Sequence, residues 1–331
     1  MGDVAMTVPV LKAFVLQYPE VKLTVVSRSF FKPFFDHISN VNFFGVDVNN
    51  RHKGFFGLIR LFIDLKKLNI DAVADLHNVI RSKAIRKAFV LFGKKIASSN
   101  KERADKTALT RAENKIFKPV KTMFQIHCET FERLGFPVNL SNVKLPKKAI
   151  LSQEILDLVQ PENQRLIGIA PFAQYESKVY PQDLMQEVID NLASNPENKI
   201  ILFGGGNSEI VVLDEMRKSH NNVIVAAGKL NLQQELDLIS NLEIMLSMDS
   251  GNAHLAAMLG VKVITLWGAT HPYAGFLPFN QDFETAIVSD REKYPLLPTS
   301  VYGNKIVEGY QDVMRTILPK TVIDKIKKEI Q

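Results

Sequence analysis

The run Ser247-Met248-Asp249-Ser250-Gly251-Asn252-Ala253-His254-Leu255-Ala256-Ala257 holds the residue types that a bound phosphate requires. Residues 244–246 read as an apolar strand, Asp-Ser-Gly turns the chain, and a helix is predicted directly behind. Ser250 stands where an N-cap is needed, and Gly251 lets backbone come close to a ligand. The first N–H groups of such a helix have no acceptor within it, and the helix dipole adds positive potential, so an anion fits there. His254 falls one turn in, on a side that can face the same anion. Two plainer readings stay open: small polar residues at strand–helix turns often serve only as caps, and histidines in apolar stretches are often satisfied core residues. Gly260 ends the helix, and residues 261–266 read as the next buried strand.

Three further segments carry polar residues at expected strand ends. Residues 167–170 lead into Pro171-Phe172-Ala173-Gln174-Tyr175-Glu176-Ser177-Lys178-Val179-Tyr180-Pro181. Lys178 sits just before a helix expected to start at Pro181, where a cation can reach a ligand phosphate or simply the solvent. Residues 200–203 lead into Gly204-Gly205-Gly206-Asn207-Ser208-Glu209. Gly205 and its neighbours permit close backbone approach. Glu209 can accept two hydrogen bonds from a ribose diol, or merely complement the dipole of a helix start. Finally, Met1-Gly2-Asp3-Val4 leads into the first helix, and Asp3 is expected on the amino-terminal lip of a cleft.

These strand ends need a scaffold. Strands are expected at residues 21–26, 43–46, 72–76 and 95–97, with helices at 8–17 and 58–68 between them. Residues 100–121 lack periodicity and are charged, which predicts a mobile loop before a helix at 122–134. Residues 137–148 are polar and proline-punctuated, as an interdomain linker would be. A second alternating set follows, with strands at 165–170, 199–203, 222–225, 242–246, 261–266 and 286–289 and helices at 181–192, 207–218 and 232–239. Strands alternating with helices imply parallel sheets, so the fold class is α/β with two doubly wound domains and ligands at the carboxyl ends of strands. The expected divisions are residues 1–140, 149–310 and a carboxy-terminal helix in 311–331.

Bulk properties agree with two cores. A chain of 331 residues exceeds one ordinary domain, and 46% hydrophobic with 23% charged residues is a globular balance. Apolar runs such as residues 88–92 and 261–267 are too short to span a bilayer, and the first residues carry no basic signal-peptide region. The one cysteine, Cys128, excludes an internal disulfide or a cysteine zinc site, fits a reducing cytoplasm, and is read as a helix packing residue. The net charge of +6 is concentrated: between Arg81 and Lys121 thirteen lysines and arginines face only Glu102, Asp105 and Glu113. Such a stripe is either a solvated face or suits an acidic partner, whether nucleic acid, anionic lipid or phosphorylated glycan. Nucleic acid fits worst, because neither interleaved aromatics nor a helix-turn-helix pattern accompanies the charge.

The chain resembles glycosyltransferase family 9, the bacterial lipopolysaccharide heptosyltransferases. The resemblance lies in Gly2-Asp3-Val4 with Thr7-Val8-Pro9-Val10-Leu11, in Glu176 to Pro181, in the Gly205 to Glu209 turn, in Asp249-Ser250-Gly251-x-x-His254-Leu255-Ala256-Ala257, and in Ile264 to Pro272. It implies a GT-B fold of two Rossmann-like domains facing a central cleft, the first binding the acceptor and the second a nucleotide-sugar, typically ADP-heptose. It implies inverting transfer of a heptose or related sugar to the lipopolysaccharide inner core. Asp3 would then be the general base, and Lys178 with Asp249, Ser250, Gly251 and His254 would hold the diphosphate. Glu209 and Gly205 would hold the ribose. Arg81, Lys101, Arg103 and Lys106 in the basic stripe would hold the anionic core and lipid A acceptor. The family uses no metal in this role, and no Asp-x-Asp pair occurs here, so neither metal nor cofactor is expected. The resemblance also implies a cytoplasmic protein in peripheral contact with the inner membrane, and a tail that packs back on the amino-terminal domain.

Two features depart from the family. Family members carry a complete strand before Gly-Asp, whereas this chain opens inside that motif. The first, central strand of the amino-terminal sheet is therefore expected to be missing, with the natural start upstream of Met1. Phe172-Ala173-Gln174 is more apolar than the hydroxyl-bearing family turn, which leaves the donor sugar open. Two other functions remain compatible with the residues: a GT-B sugar-nucleotide epimerase, which would turn over without acceptor, and a binding protein that holds nucleotide-sugar or glycolipid without chemistry.

Overall fold

Helices and parallel strands alternate along most of the chain, as the hydrophobic periodicity requires. The computed structural model describes every residue except Asn142, Ser219, Ile306 and Gln331. Two units emerge, one of Met1, residues 3–103 and 121–144, the other of Gly2, residues 104–120 and 145–331.

The first unit opens with α1 (Gly2–Ala5) and α2 (Thr7–Gln17), followed by β1 (Leu23–Arg28), β2 (Val41–Val46), α3 (Gly54–Lys66), β3 (Ala72–Asp75), α4 (Ile80–Leu91) and β4 (Lys95–Ser98). β1 pairs in parallel with β2, and β3 with β4, as two separate two-stranded sheets. Val46, Leu61, Leu65 and Phe89 form one core cluster under α3 and α4. Helix α2 buries Phe14 against Phe131, ring centroids 4.6 Å apart. Phe131 belongs to α6 (Met123–Glu132), which follows α5 (Arg103–Thr110). Thr122 starts α6 with a capping box: the Gln125 N–H donates to Thr122 Oγ1 at 3.2 Å and the Thr122 N–H to Gln125 Oε1 at 2.8 Å.

The stretch at 100–121 corrects the expected mobile loop. It contains α5, whose buried residues are Lys106, Leu109 and Thr110. Two of these three are polar, so the apolar period that announces a helix is missing from the sequence. Residues 104–120 are clamped onto the second unit. Lys115 Nζ donates to the carbonyls of Leu296 and Pro298, each at 2.7 Å, and to that of Leu109 at 3.2 Å. The Val120 N–H donates to Tyr273 O at 2.9 Å, and the Arg291 guanidinium lies 3.4 Å from the Phe117 ring centre.

In the second unit α7 (Gln153–Val159) precedes β5 (Arg165–Ala170), α8 (Gln182–Ala193), β6 (Asn198–Leu202), α9 (Asn207–Arg217), β7 (Val223–Val225), α10 (Leu232–Ile239), β8 (Ile244–Met248), α11 (Gly251–Met258), β9 (Lys262–Trp267), β10 (Ala286–Val288) and α12 (Pro319–Glu329). The sheet is wholly parallel in the order β10-β9-β8-β5-β6-β7. Buried on both faces, its central strands are apolar runs rich in Ile, Leu and Met rather than alternating patterns. The chain leaves β5 outward to β6 and β7, then returns to the other side of β5 as β8. That reversal opens a crevice at the carboxyl ends of β5 and β8, where ligands of such sheets bind. Val322, Ile323 and Ile326 of α12 join the core of this second unit beside α8. Helices α4 and α7 have no counterpart among the sequence expectations.

Candidate active site

At the reversal of the second sheet, Asp249 follows β8 directly and is 6% exposed. Its Oδ2 lies 2.9 Å from Lys178 Nζ and accepts a hydrogen bond from Thr270 Oγ1, also at 2.9 Å. Three segments thus meet: the loop after β5, the turn after β8 and the loop after β9. Lys178 ends a single 3-10 turn, Glu176–Lys178, whose position depends on two close approaches. The Ala269 N–H donates to Ser177 O at 3.0 Å, and a Cβ at Gly268 would lie 2.4 Å from that oxygen. Ser177 Oγ donates to Gly303 O at 2.6 Å, and a Cβ at Gly303 would lie 2.5 Å from Lys178 Cδ. Gly303 also has φ of +86°, which disfavours a side chain there. The alkyl stem of Lys178 is therefore guided between tightly packed backbone segments, and its ammonium is delivered to Asp249.

Ser250 occupies the N-cap position of α11, but its hydroxyl does not cap the helix. It lies 3.1 Å from Ser247 Oγ instead. The helix begins at Gly251, so the N–H groups of its first turn have no intrahelical acceptor. His254 is buried on the same helix. A cation fixed on a carboxylate, close in sequence to the open N-terminus of a helix, is an arrangement able to receive negative charge from a diphosphate.

Glu209 sits in the first turn of α9, at the carboxyl end of β6. Its Oε2 accepts the Gly205 N–H at 2.7 Å, which folds the carboxylate back over its own loop. The glycine that lacks room for a side chain is Gly204, where a Cβ would stand 3.0 Å from Leu213 and 3.1 Å from Glu209. At Gly205 the space is open. His271, at the loop after β9, is pushed down to about 4 by burial and by Arg291, and its Nδ1 accepts the Tyr273 N–H at 3.1 Å. It is a neutral, structural histidine.

In the first unit Asp3 lies on α1 with its carboxylate largely exposed, and its Oδ2 is 3.6 Å from His77 Nε2. Beneath it, His127 is fully buried and pushed down to about 4, chiefly by desolvation and in spite of the charge on Asp3. Of the basic residues expected to act together, Arg81 is exposed on α4, with Lys101 and Arg103 further along the same unit. Lys106 belongs to the second unit, where it is 3% exposed and stands 4.3 Å above the Phe276 ring. Thr270, Gly303 and His77 were not expected in any site: Thr270 lies in the Ile264 to Pro272 segment that carries the resemblance but was given no role, and nothing local in sequence links Gly303 or His77 to Lys178 or Asp3. Among the described residues there is no group of three His, Cys, Asp or Glu able to hold a metal ion.

Comparison with known proteins places the fold in a family. A family model described as glycosyltransferase family 9 (heptosyltransferase) matches residues 58–305. Lipopolysaccharide heptosyltransferase 1 of Campylobacter coli is 24% identical over 237 residues, 65% of this chain and 66% of that protein. The glycosyl transferase family 9 structure from Veillonella parvula superposes with a TM-score of 0.75 at 18% identity, covering 99% of this chain and 94% of that one. The ADP-heptose lipopolysaccharide heptosyltransferase II of E. coli superposes with a TM-score of 0.68 at 17% identity, covering 99% and 95%. The fold is thus that of these glycosyltransferases, and with three-quarters of its length matched by the family model the chain belongs to glycosyltransferase family 9.

Proposed function

We propose that this protein transfers a heptose, or a closely related sugar, from a nucleotide-diphosphate donor to the inner core of lipopolysaccharide, with inversion at the anomeric carbon. ADP-heptose is the donor we favour, and the acceptor is the anionic core and lipid A glycolipid at the cytoplasmic face of the inner membrane. The observation that carries this reading is the Lys178–Asp249–Thr270 cluster at the strand reversal, beside the start of α11. In the reaction the acceptor hydroxyl attacks the anomeric carbon and loses its proton to Asp3, while the bond from that carbon to the diphosphate oxygen breaks. The new negative charge falls on the diphosphate, where the Lys178 ammonium and the N–H groups of Ser250 and Gly251 stabilise it. Asp249, itself an anion, contributes by holding Lys178 rather than by touching phosphate. Glu209, once released from Gly205, binds the ribose hydroxyls, and His254 lies against the same donor. Charge neutralisation by protein groups leaves no role for a metal.

The test is incubation with a panel of nucleotide-sugars and extracted core glycolipid, read by mass spectrometry. A gain of one heptose on the glycolipid is expected. Sugar-nucleotide turnover without acceptor would favour an epimerase, and donor binding without either product a binding protein. Asp3→Asn should abolish transfer while donor affinity, measured by calorimetry, stays within about twofold; full turnover in that variant removes Asp3 from the mechanism.

A further inference from the structure

The first unit leaves an unusual face uncovered. On α3, Phe55 and Phe56 are each 73% exposed, and Ile59 and Ile63 continue the same row at 44% and 49%. Residues 55, 59 and 63 are spaced by four, so they lie along one stripe of the helix. The opposite stripe of α3, Gly57, Leu61 and Leu65, is buried. α4 packs beside α3 through Phe62, whose ring centre is 5.0 Å from that of Phe89 and 5.4 Å from that of Phe92. It adds Ile80 and Leu91, exposed at 87% and 85%. A soluble chain rarely leaves so many large apolar side chains bare on neighbouring helices without a partner.

The charge around this face identifies the partner. Between Arg51 and Lys95 there are eleven lysines and arginines against three carboxylates, an excess larger than that of the whole chain. Lys53, Arg60, Lys66, Lys67, Arg81 and Lys87 are exposed among the apolar residues. The only carboxylate on α3, Asp64, is already bound by Arg51 at 2.8 Å, His52 at 3.3 Å and Lys67 at 3.5 Å. Helix α4 carries no acid. Exposed phenylalanines and aliphatics flanked by cations are the chemistry of a surface that enters the interfacial zone of an anionic bilayer. Nucleic acid would take the cations but leave the apolar row in water. No helix among the described residues is long and apolar enough to cross a membrane, so contact would be interfacial.

We propose that the exposed faces of α3 and α4 dock this protein on an anionic phospholipid bilayer, with Phe55, Phe56 and Ile59 inserted between headgroups and Lys53 and Arg60 paired with lipid phosphates. The purpose of such docking rests on the glycolipid-transfer reading, because it delivers the enzyme to an acceptor fixed in the membrane. The binding itself does not rest on it.

The experiment is flotation of the intact protein with vesicles of phosphatidylethanolamine and phosphatidylglycerol, compared with neutral phosphatidylcholine vesicles. Wild type should float with the anionic vesicles and remain below with the neutral ones. A Phe55→Ser/Phe56→Ser/Ile59→Ser variant and a Lys53→Glu/Arg60→Glu variant should each reduce the bound fraction about tenfold or more. Because these side chains are exposed, thermal unfolding should match wild type, and sugar transfer to detergent-dispersed glycolipid should be retained. Vesicle binding unchanged by both variants overturns the proposal, as does absence of binding to anionic vesicles. So does retention on an oligonucleotide, or concentration-dependent self-association, that the same variants abolish while vesicles never bind. Loss of transfer to dispersed acceptor in the wild type, with flotation intact, would instead count against the catalytic reading alone.

Discussion

Lys178 owes its position to two side chains that lie 71 and 92 residues further along the chain, Asp249 and Thr270. With Lys178 truncated, the Asp249 carboxylate, its side chain only 8% exposed, would be left without its ion-pair partner. Lys178→Ala should therefore cost about 3 kcal/mol of stability as well as transfer. Adding Asp249→Ala should restore part of that stability while transfer stays lost. Denaturant unfolding of the singles and the double decides this, and a double variant no more stable than Lys178→Ala would show that the pair is not coupled. Thr270→Val should be milder, losing about 1 kcal/mol through one hydrogen bond to a buried carboxylate. A rise in KM for the donor with little change in unfolding midpoint would instead mean that Thr270 meets the ligand.

At the scale of elements, the loop after β9 is held by a backbone contact that leaves no room for a substituent. Gly268→Ala would set a methyl group against the Ser177 carbonyl and push the turn that carries Lys178. Loss of turnover should exceed any loss in the core of β9, so kcat falls by about tenfold or more while the protein still unfolds cooperatively. A variant with normal kcat would show that the turn yields without moving Lys178. The clamp on residues 104–120 is similarly concentrated. Burial and Arg291 push Lys115 down to about 8, and its ammonium serves three carbonyls at once. Lys115→Met keeps the length but leaves those carbonyls without their donor. Limited proteolysis should then cleave within residues 104–120, where the wild type resists. That segment was illegible in sequence because its buried helix face is largely polar and its anchors lie some 180 residues away.

For the whole molecule, stability should depend on pH through histidines buried in both units. His127 in the first unit and His271 in the second are each pushed down to about 4, mainly by desolvation. An unfolded histidine takes up its proton near 6.5, while these folded ones stay neutral until about 4. Between those values the unfolded state binds more protons, so stability is present above pH 6.5 and is lost as pH falls toward 4. The melting temperature should drop across that window, and His127→Phe should flatten the slope if the cavity accepts the ring. A melting temperature independent of pH from 6.5 to 4.5 would contradict the burial of these rings.

The sequence by itself determined the alternation of strands and helices, because parallel strands buried on both faces must be written as apolar runs and their connecting helices as amphipathic ones. It also marked the polar residues at strand ends, since glycine and small hydroxyls interrupt those runs. Only the tertiary structure decided which of these residues meet. The Lys178–Asp249–Thr270 cluster exists because β8 returns beside β5, a pairing between residues far apart that no local period encodes. Likewise, charge in sequence marked one long basic stripe, but folding divided it: Lys106 is buried and Lys115 half-buried in the second unit, whereas Arg81 and Lys87 stay in water on α4 of the first. Sequence records charge and hydrophobicity residue by residue, while burial is a property of what packs against each residue.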